Sequence, residues 1–131
     1  LGPPHHIPCR FEGPDGSYPV VATDELGLRR GVLTSSRVPP VESRVVISVR
    51  GENIRMSAPG GGKFDARVIS RVYRGAVIRS IVKAANLEIS VETTGPQAFV
   101  PGDLVSLDWQ DKDCVVIWEE AVRAGGLGQD K

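Results

Sequence analysis

Residues 44–56 read Arg-Val-Val-Ile-Ser-Val-Arg-Gly-Glu-Asn-Ile-Arg-Met. Up to Arg50 the stretch alternates, with Val45, Ile47 and Val49 on one side and Arg44, Ser48 and Arg50 on the other. That is the period of a half-buried strand. Gly51 then breaks the alternation, and Glu52 and Asn53 follow in a turn before the apolar pair Ile54 and Met56. The stretch predicts strand, turn and strand, and an all-β chain around it.

Composition agrees. The chain has 131 residues, 40% apolar and 24% charged, with 10 prolines and 15 glycines among short Val/Ile clusters. This is enough for a core, and the punctuation favours short strands over helices. Sixteen basic residues balance sixteen acidic ones, so net charge advertises no polyanionic partner. No apolar run is long enough to span a bilayer. Cys9 and Cys114 are expected as free, buried thiols.

Outward from the central stretch, Cys9–Phe11, Tyr18–Thr23 and Leu28–Ser35 read as strands, the last interrupted at Arg29-Arg30-Gly31. Gly13-Pro14-Asp15-Gly16 and Pro101-Gly102-Asp103 read as turns. Prolines 3, 4 and 8 mark residues 1–8 as an extended lead-in rather than regular structure. Residues 63–73 form the longest predicted strand, with Phe64, Ala66, Val68 and Val72 inward and Asp65, Arg67 and Arg71 outward. Arg74-Gly75 turns it back into a partner over residues 76–83. Residues 86–92 alternate most cleanly, Leu87, Ile89 and Val91 against Glu88, Ser90 and Glu92. Residues 104–109 and 114–118 are two strands about an expected hairpin turn at 110–113, and 121–131 is a small, polar tail.

Several of these strings, in order, resemble one family. Arg50-Gly51-Glu52-Asn53-Ile54 resembles the R-P-E-N/H-I signature of the TOBE region, the C-terminal domain of ABC importer ATPases of the maltose, polyamine, sulfate and iron type. Gly51 stands where that family usually has proline. Leu1-Gly2-Pro3-Pro4 is similar to its F-L/I-G-x-P-x-x-N segment, with His6 near the usual asparagine. Residues 66–75 match G-x-V-x-x-x-x-Y-x-G, with Tyr73 and Gly75 at the characteristic positions and Ala66 for the first glycine. Residues 104–117 resemble the V-x-L-x-W-x-x-E/D-D/H-x-x-V ending, and Trp109 there looks most like the polyamine and iron branches. The resemblance implies an OB-like β-barrel extended by an N-terminal β segment; strand count alone would also suit a sandwich.

Catalytic chemistry finds little support. Pro59-Gly60-Gly61-Gly62-Lys63 lacks the hydroxyl residue and following helix of a phosphate loop, since Phe64 opens a strand pattern. His5, His6 and Cys9 could ligate a metal, but adjacent residues of an extended segment point opposite ways. Glu52, Asp111 and Asp113 read as charged turns, Glu52 pairing with Arg50. The aromatic residues are few and the basic ones dispersed, so no nucleic acid is expected. Trp118 is the aromatic expected to be exposed at a partner surface.

The resemblance therefore implies a non-catalytic regulatory and dimerisation domain, without cofactor, from the ATP-binding subunit of an ABC importer for polyamines or iron. Residues 1–8 would be the linker from an ATPase domain outside this chain, 9–120 the domain and 121–131 a tail. Its partners would be that ATPase domain, a second copy of the subunit and, indirectly, the membrane subunits, at the cytosolic face of the inner membrane. Arg50, Glu52 and Asn53 would form the turn at the barrel's entry, and Tyr73, Gly75 and Trp109 packing positions. Leu1, Gly2, Pro3, Pro4, His6 and Trp118 would lie at the hinge or interface. A stand-alone small-oxyanion binder is the alternative, because molybdate-binding proteins share this domain type. Ser48 and Arg50 suit it, while the charge of Glu52 opposes it. An OB-type nucleic-acid module is a further one.

Overall fold

The computed structural model describes residues 5–14, 18–34, 36–94 and 99–118. Eleven strands run through them: β1 His5–Gly13, β2 Val20–Thr23, β3 Gly27–Arg30, β4 Val32–Leu33, β5 Arg44–Val49, β6 Arg55–Ser57, β7 Phe64–Arg74, β8 Val77–Ala84, β9 Leu87–Thr94, β10 Leu104–Asp108 and β11 Val115–Ile117. Single 3-10 turns occupy Gly51–Asn53 and Asp111–Asp113. Among the described residues no helix is long and apolar enough to cross a membrane. The span 9–120, read above as one domain, divides into two compact units: His6–Val49 with residues from Asp111 onward, and Arg50–Gln110. Each unit is built on one curled sheet.

The first sheet has the order β3-β2-β1-β5-β11-β4. The lead-in expected over residues 1–8 gives way to strand at His5; residues 1–4 lie outside the described part. Ile7, Cys9 and Phe11 are buried while His6, Pro8 and Arg10 are exposed, so the period of two continues through the proline. Burying such apolar side chains is worth about 1.5–3 kcal/mol each, and a lost ladder bond at Pro8 costs only about 1 kcal/mol. The apolar pattern wins.

Two local devices shape this sheet. Just before β5, the Glu42 N–H donates to the Phe11 carbonyl (2.7 Å) and the Phe11 N–H to the Ser43 carbonyl (2.9 Å). Two residues thus face one, a bulge whose first position, Glu42, has φ 75°, a conformation suited to glycine. The second device is Gly31. β3 and β4 stand at opposite edges of the ladder yet are separated by Gly31 alone, so the sheet curls round until its edges meet. Gly31 donates to the Pro19 carbonyl (3.2 Å), and Val32 donates to that of Cys114 (2.8 Å). A Cβ on Gly31 would lie 2.5 Å from the Cys114 oxygen.

The second sheet has the order β6-β10-β7-β8-β9. The expected in-and-out pattern of residues 63–73 holds only to Val68. A bulge at Ile69 moves the register from Val68↔Val82 to Ser70↔Ile81. Val72 therefore turns outward, half exposed, and Arg71 and Tyr73 stand opposite Ser80 and Ile78. Glu92, expected outside, is 8% exposed and accepts a 3.0 Å hydrogen bond from Arg79. The strands over 104–109 and 114–118 are not hairpin partners either: β10 belongs to the second sheet and β11 to the first. The chain leaves the first sheet after β5 and returns to it at β11, where Val115 pairs with Ser48.

Gly31→Ala should destabilise the protein by about 1–3 kcal/mol through backbone overpacking, read as a lower urea midpoint. Glu42→Gly should stabilise it by about 0.5–1 kcal/mol by relieving the left-handed strain, since the exposed ion pair it removes is worth little; a lower melting temperature would contradict the strain.

Candidate functional site

The string Arg50–Ile54 is the turn that its sequence suggests, built more tightly than glycine implies. The Asn53 and Ile54 N–H groups donate to the carbonyls of Arg50 (3.0 Å) and Gly51 (3.2 Å). Gly51 and Ile54 are buried; Arg50, Glu52 and Asn53 are exposed. Gly51 lies against β9, where a Cβ would stand 2.7 Å from the Ser90 oxygen. That contact gives a reason for glycine where the related signature has proline. Arg50 and Glu52, expected to pair, form no ion pair with each other, and both are exposed.

The other positions singled out in the sequence separate into core and surface. Trp109 is 2% exposed and meets Phe64 edge to face, 5.4 Å between centroids. Its buried Nε1 has no hydrogen-bond partner among the described residues. Gly75, at φ 62°, opens the two-residue turn joining β7 and β8, the place where glycine costs least. Tyr73 is not a packing residue: it is 61% exposed, with the Arg71 guanidinium 5.3 Å from its ring centroid. Trp118, expected exposed, is half-buried beneath Arg37, 5.2 Å from its centroid. Tyr73 lies past the bulge at Ile69 and opposite buried Ile78, yet its ring stands out in solvent.

The glycine loop holds no phosphate cradle. The Gly60 N–H donates to Asp65 Oδ1 (3.2 Å) and that of Gly62 to Ser106 Oγ (2.8 Å). The Gly61 and Lys63 N–H groups donate to the carbonyls of Ala58 and Leu107. Its amides are spent on the protein. His6 and Cys9 lie on opposite faces of β1, and the Cys9 thiol donates to the Ile7 carbonyl at 3.1 Å. Burial pushes that thiol from 9.0 up to about 12; a backbone hydrogen bond from Ile47 works against the rise and Glu25 adds to it.

Among the described residues each unit carries an open groove. The larger, about 620 Å³, runs over the outer face of β2, β1 and β5 past His6, Arg10 and Arg44. The smaller, about 410 Å³, is walled by Glu52, Arg55, Glu92 and Thr93. The first sets His6, Arg10 and Arg44 beside one carboxylate, Asp24, and the second sets Glu52 and Glu92 beside Arg55. Sequence reasoning missed the first because its two arginines are 34 positions apart (44 − 10) and meet only through strand pairing.

Trp109→Ala should cost about 3–5 kcal/mol, whereas Trp109→Phe should cost far less, because it also removes a buried unpaired donor. For Cys9 the thiol is protonated in both states below pH 9.0. Above that the unfolded chain releases its proton first, so stability falls as pH rises toward 12. Denaturation across this range should show at most about 1.4 kcal/mol per pH unit of slope that Cys9→Ala lacks.

Comparison with known proteins bears on the fold. The chain matches the TOBE domain family over residues 47–117, more than half its length. No curated protein matches it. Among solved structures it is similar to the cytoplasmic molybdate-binding protein ModG, in a form with molybdate bound. The TM-score is 0.75 at 10% identity, covering 88% of this chain and 96% of that one; the likeness is one of fold. With its OB-like, all-β architecture and the match over residues 47–117, the chain belongs to the TOBE domain family.

Proposed function

We propose that this TOBE domain is the non-catalytic regulatory and dimerisation part of the ATP-binding subunit of an ABC importer. The observation that carries the reading is the turn Arg50–Ile54. Its signature residues are arranged as a built element, Ile54 buried and Gly51 seated on β9, with Arg50, Glu52 and Asn53 presented to solvent. A signature whose polar members are exposed and make no site suits contact with neighbouring protein better than chemistry. In this reading the partners are an ATPase domain of the same subunit, a second copy of the subunit and, indirectly, the membrane subunits, at the cytosolic face. A rigid β unit serves as a pivot that keeps two ATPase domains together as they part. Trp109 in the closing string favours polyamine over iron as the transported substrate.

The likeness to ModG favours a second reading, binding of a small oxyanion, and it bears on that reading alone. Against it, Ser48 is buried, and Glu52 brings negative charge next to Arg50 and Asn53.

The reading frame upstream of Leu1 tests the first reading: it should run into a domain carrying G-x-x-x-x-G-K-S/T, and a start codon directly before Leu1 would overturn it. Thermal denaturation in molybdate, tungstate or sulfate tests the second. A ligand at a hundred times its Kd adds about 2.7 kcal/mol of stability, so a rise in Tm above that in chloride of equal ionic strength supports the oxyanion binder. No rise is the outcome expected here.

A further inference from the structure

We infer that the outer face of the first sheet binds a small phosphate-bearing organic anion, with its phosphate held between Arg10 of β1 and Arg44 of β5. The inference depends on neither functional reading above, since none of its residues belongs to the Arg50–Asn53 turn.

Strand register creates the site. The bond from the Phe11 N–H to the Ser43 carbonyl sets the next residue back on β1, Arg10, across from the next residue on, Arg44. Arg10 is paired on its other side with Ala22 of β2. Two guanidinium groups thus share one face of adjacent strands. Like charges directly opposite in a sheet destabilise it, and a bound dianion converts that repulsion into attraction.

The donors remain available. Arg10 has Asp24 at 3.9 Å and Glu42 at 3.8 Å, too far for hydrogen bonds. Those carboxylates orient the guanidinium without consuming its N–H groups. Arg44 makes no ion pair or hydrogen bond through its side chain with any described residue, and His6 lies exposed in the same groove. Arginine forks match phosphate oxygens in bidentate fashion.

The size of the groove selects an organic ligand over a bare ion. At about 620 Å³ it falls in the range of small-molecule sites. Beside the arginines its lining is His6, Pro8, Cys9, Ala22, Val45 and Val46 with one carboxylate, Asp24; Pro8, Ala22 and Val46 offer a short apolar surface for the body of a phosphomonoester. Strands β1 and β5 anchor it, because the opposite sides of both carry the buried Ile7, Phe11 and Ile47.

Titration of the 15N-labelled protein followed by NMR tests this, with ribose 5-phosphate, glycerol 3-phosphate and inorganic phosphate as probes at constant ionic strength. The expected result is saturable shifts confined to amides of β1, β2 and β5, with a phosphomonoester binding more tightly than inorganic phosphate. Arg44→Ala and, separately, Arg10→Ala should each weaken binding by about tenfold, and Asp24→Asn should strengthen it. All three positions are exposed, and an unchanged far-UV spectrum verifies that each variant folds. No saturable shift by about 10 mM, a weak limit of roughly 2.7 kcal/mol, would overturn the site. So would shifts that survive both arginine substitutions. Equal affinity for inorganic phosphate would overturn the organic ligand.

Discussion

Both sheets depend on a backbone carbonyl meeting a residue with no Cβ. In the first, Gly31 lies against the Cys114 oxygen at the point where the chain passes from one edge of the sheet to the other. In the second, Gly51 lies against the Ser90 oxygen of β9, and the chain then runs directly into β6 at the opposite edge. Any side chain at either position would hold the two edges apart by the width of a methyl group. Curling brings the ends of each ladder toward one another, although β3 and β4 in the first sheet and β6 and β9 in the second remain the end strands.

What could be read from the sequence was what obeys a simple period. Val45, Ile47 and Val49 announce β5 and Leu87, Ile89 and Val91 announce β9; five of the six are buried and Leu87 half-buried. β1 is equally legible in Ile7, Cys9 and Phe11 despite three prolines nearby; Pro8 is tolerated because burying those side chains outweighs one lost ladder bond. Within β7 the failure has one source: a residue inserted at Ile69 breaks the period of two, so Val72, expected inward, is half exposed. Nothing in a string of letters marks that residue as extra.

The polar surface was less legible still. Glycine-rich residues 60–62 look like a ligand loop in sequence, yet their amides are satisfied by Asp65, Ser106 and neighbouring carbonyls. The cationic groove comes from Arg10 and Arg44, neither of which belongs to any motif. Register, not spacing, brings them together, and register here is set by the bulge at Glu42. A residue held at a left-handed φ therefore decides which charges become neighbours on the outside of the sheet.

The return of the chain to its first sheet has a consequence for the order of assembly. β5 ends at Val49, but the strand that pairs with it next, β11, begins only at Val115. During synthesis the first five strands emerge with one side of β5 unpaired, waiting for a partner more than sixty residues later. The intervening Arg50–Gln110 is continuous in sequence and carries its own sheet, so all its strands can pair as soon as they are made. Once folded it shortens the loop that must close before β11 docks, lowering the entropy lost in that step. The segment later in the chain can thus finish folding before the sheet that began earlier is complete.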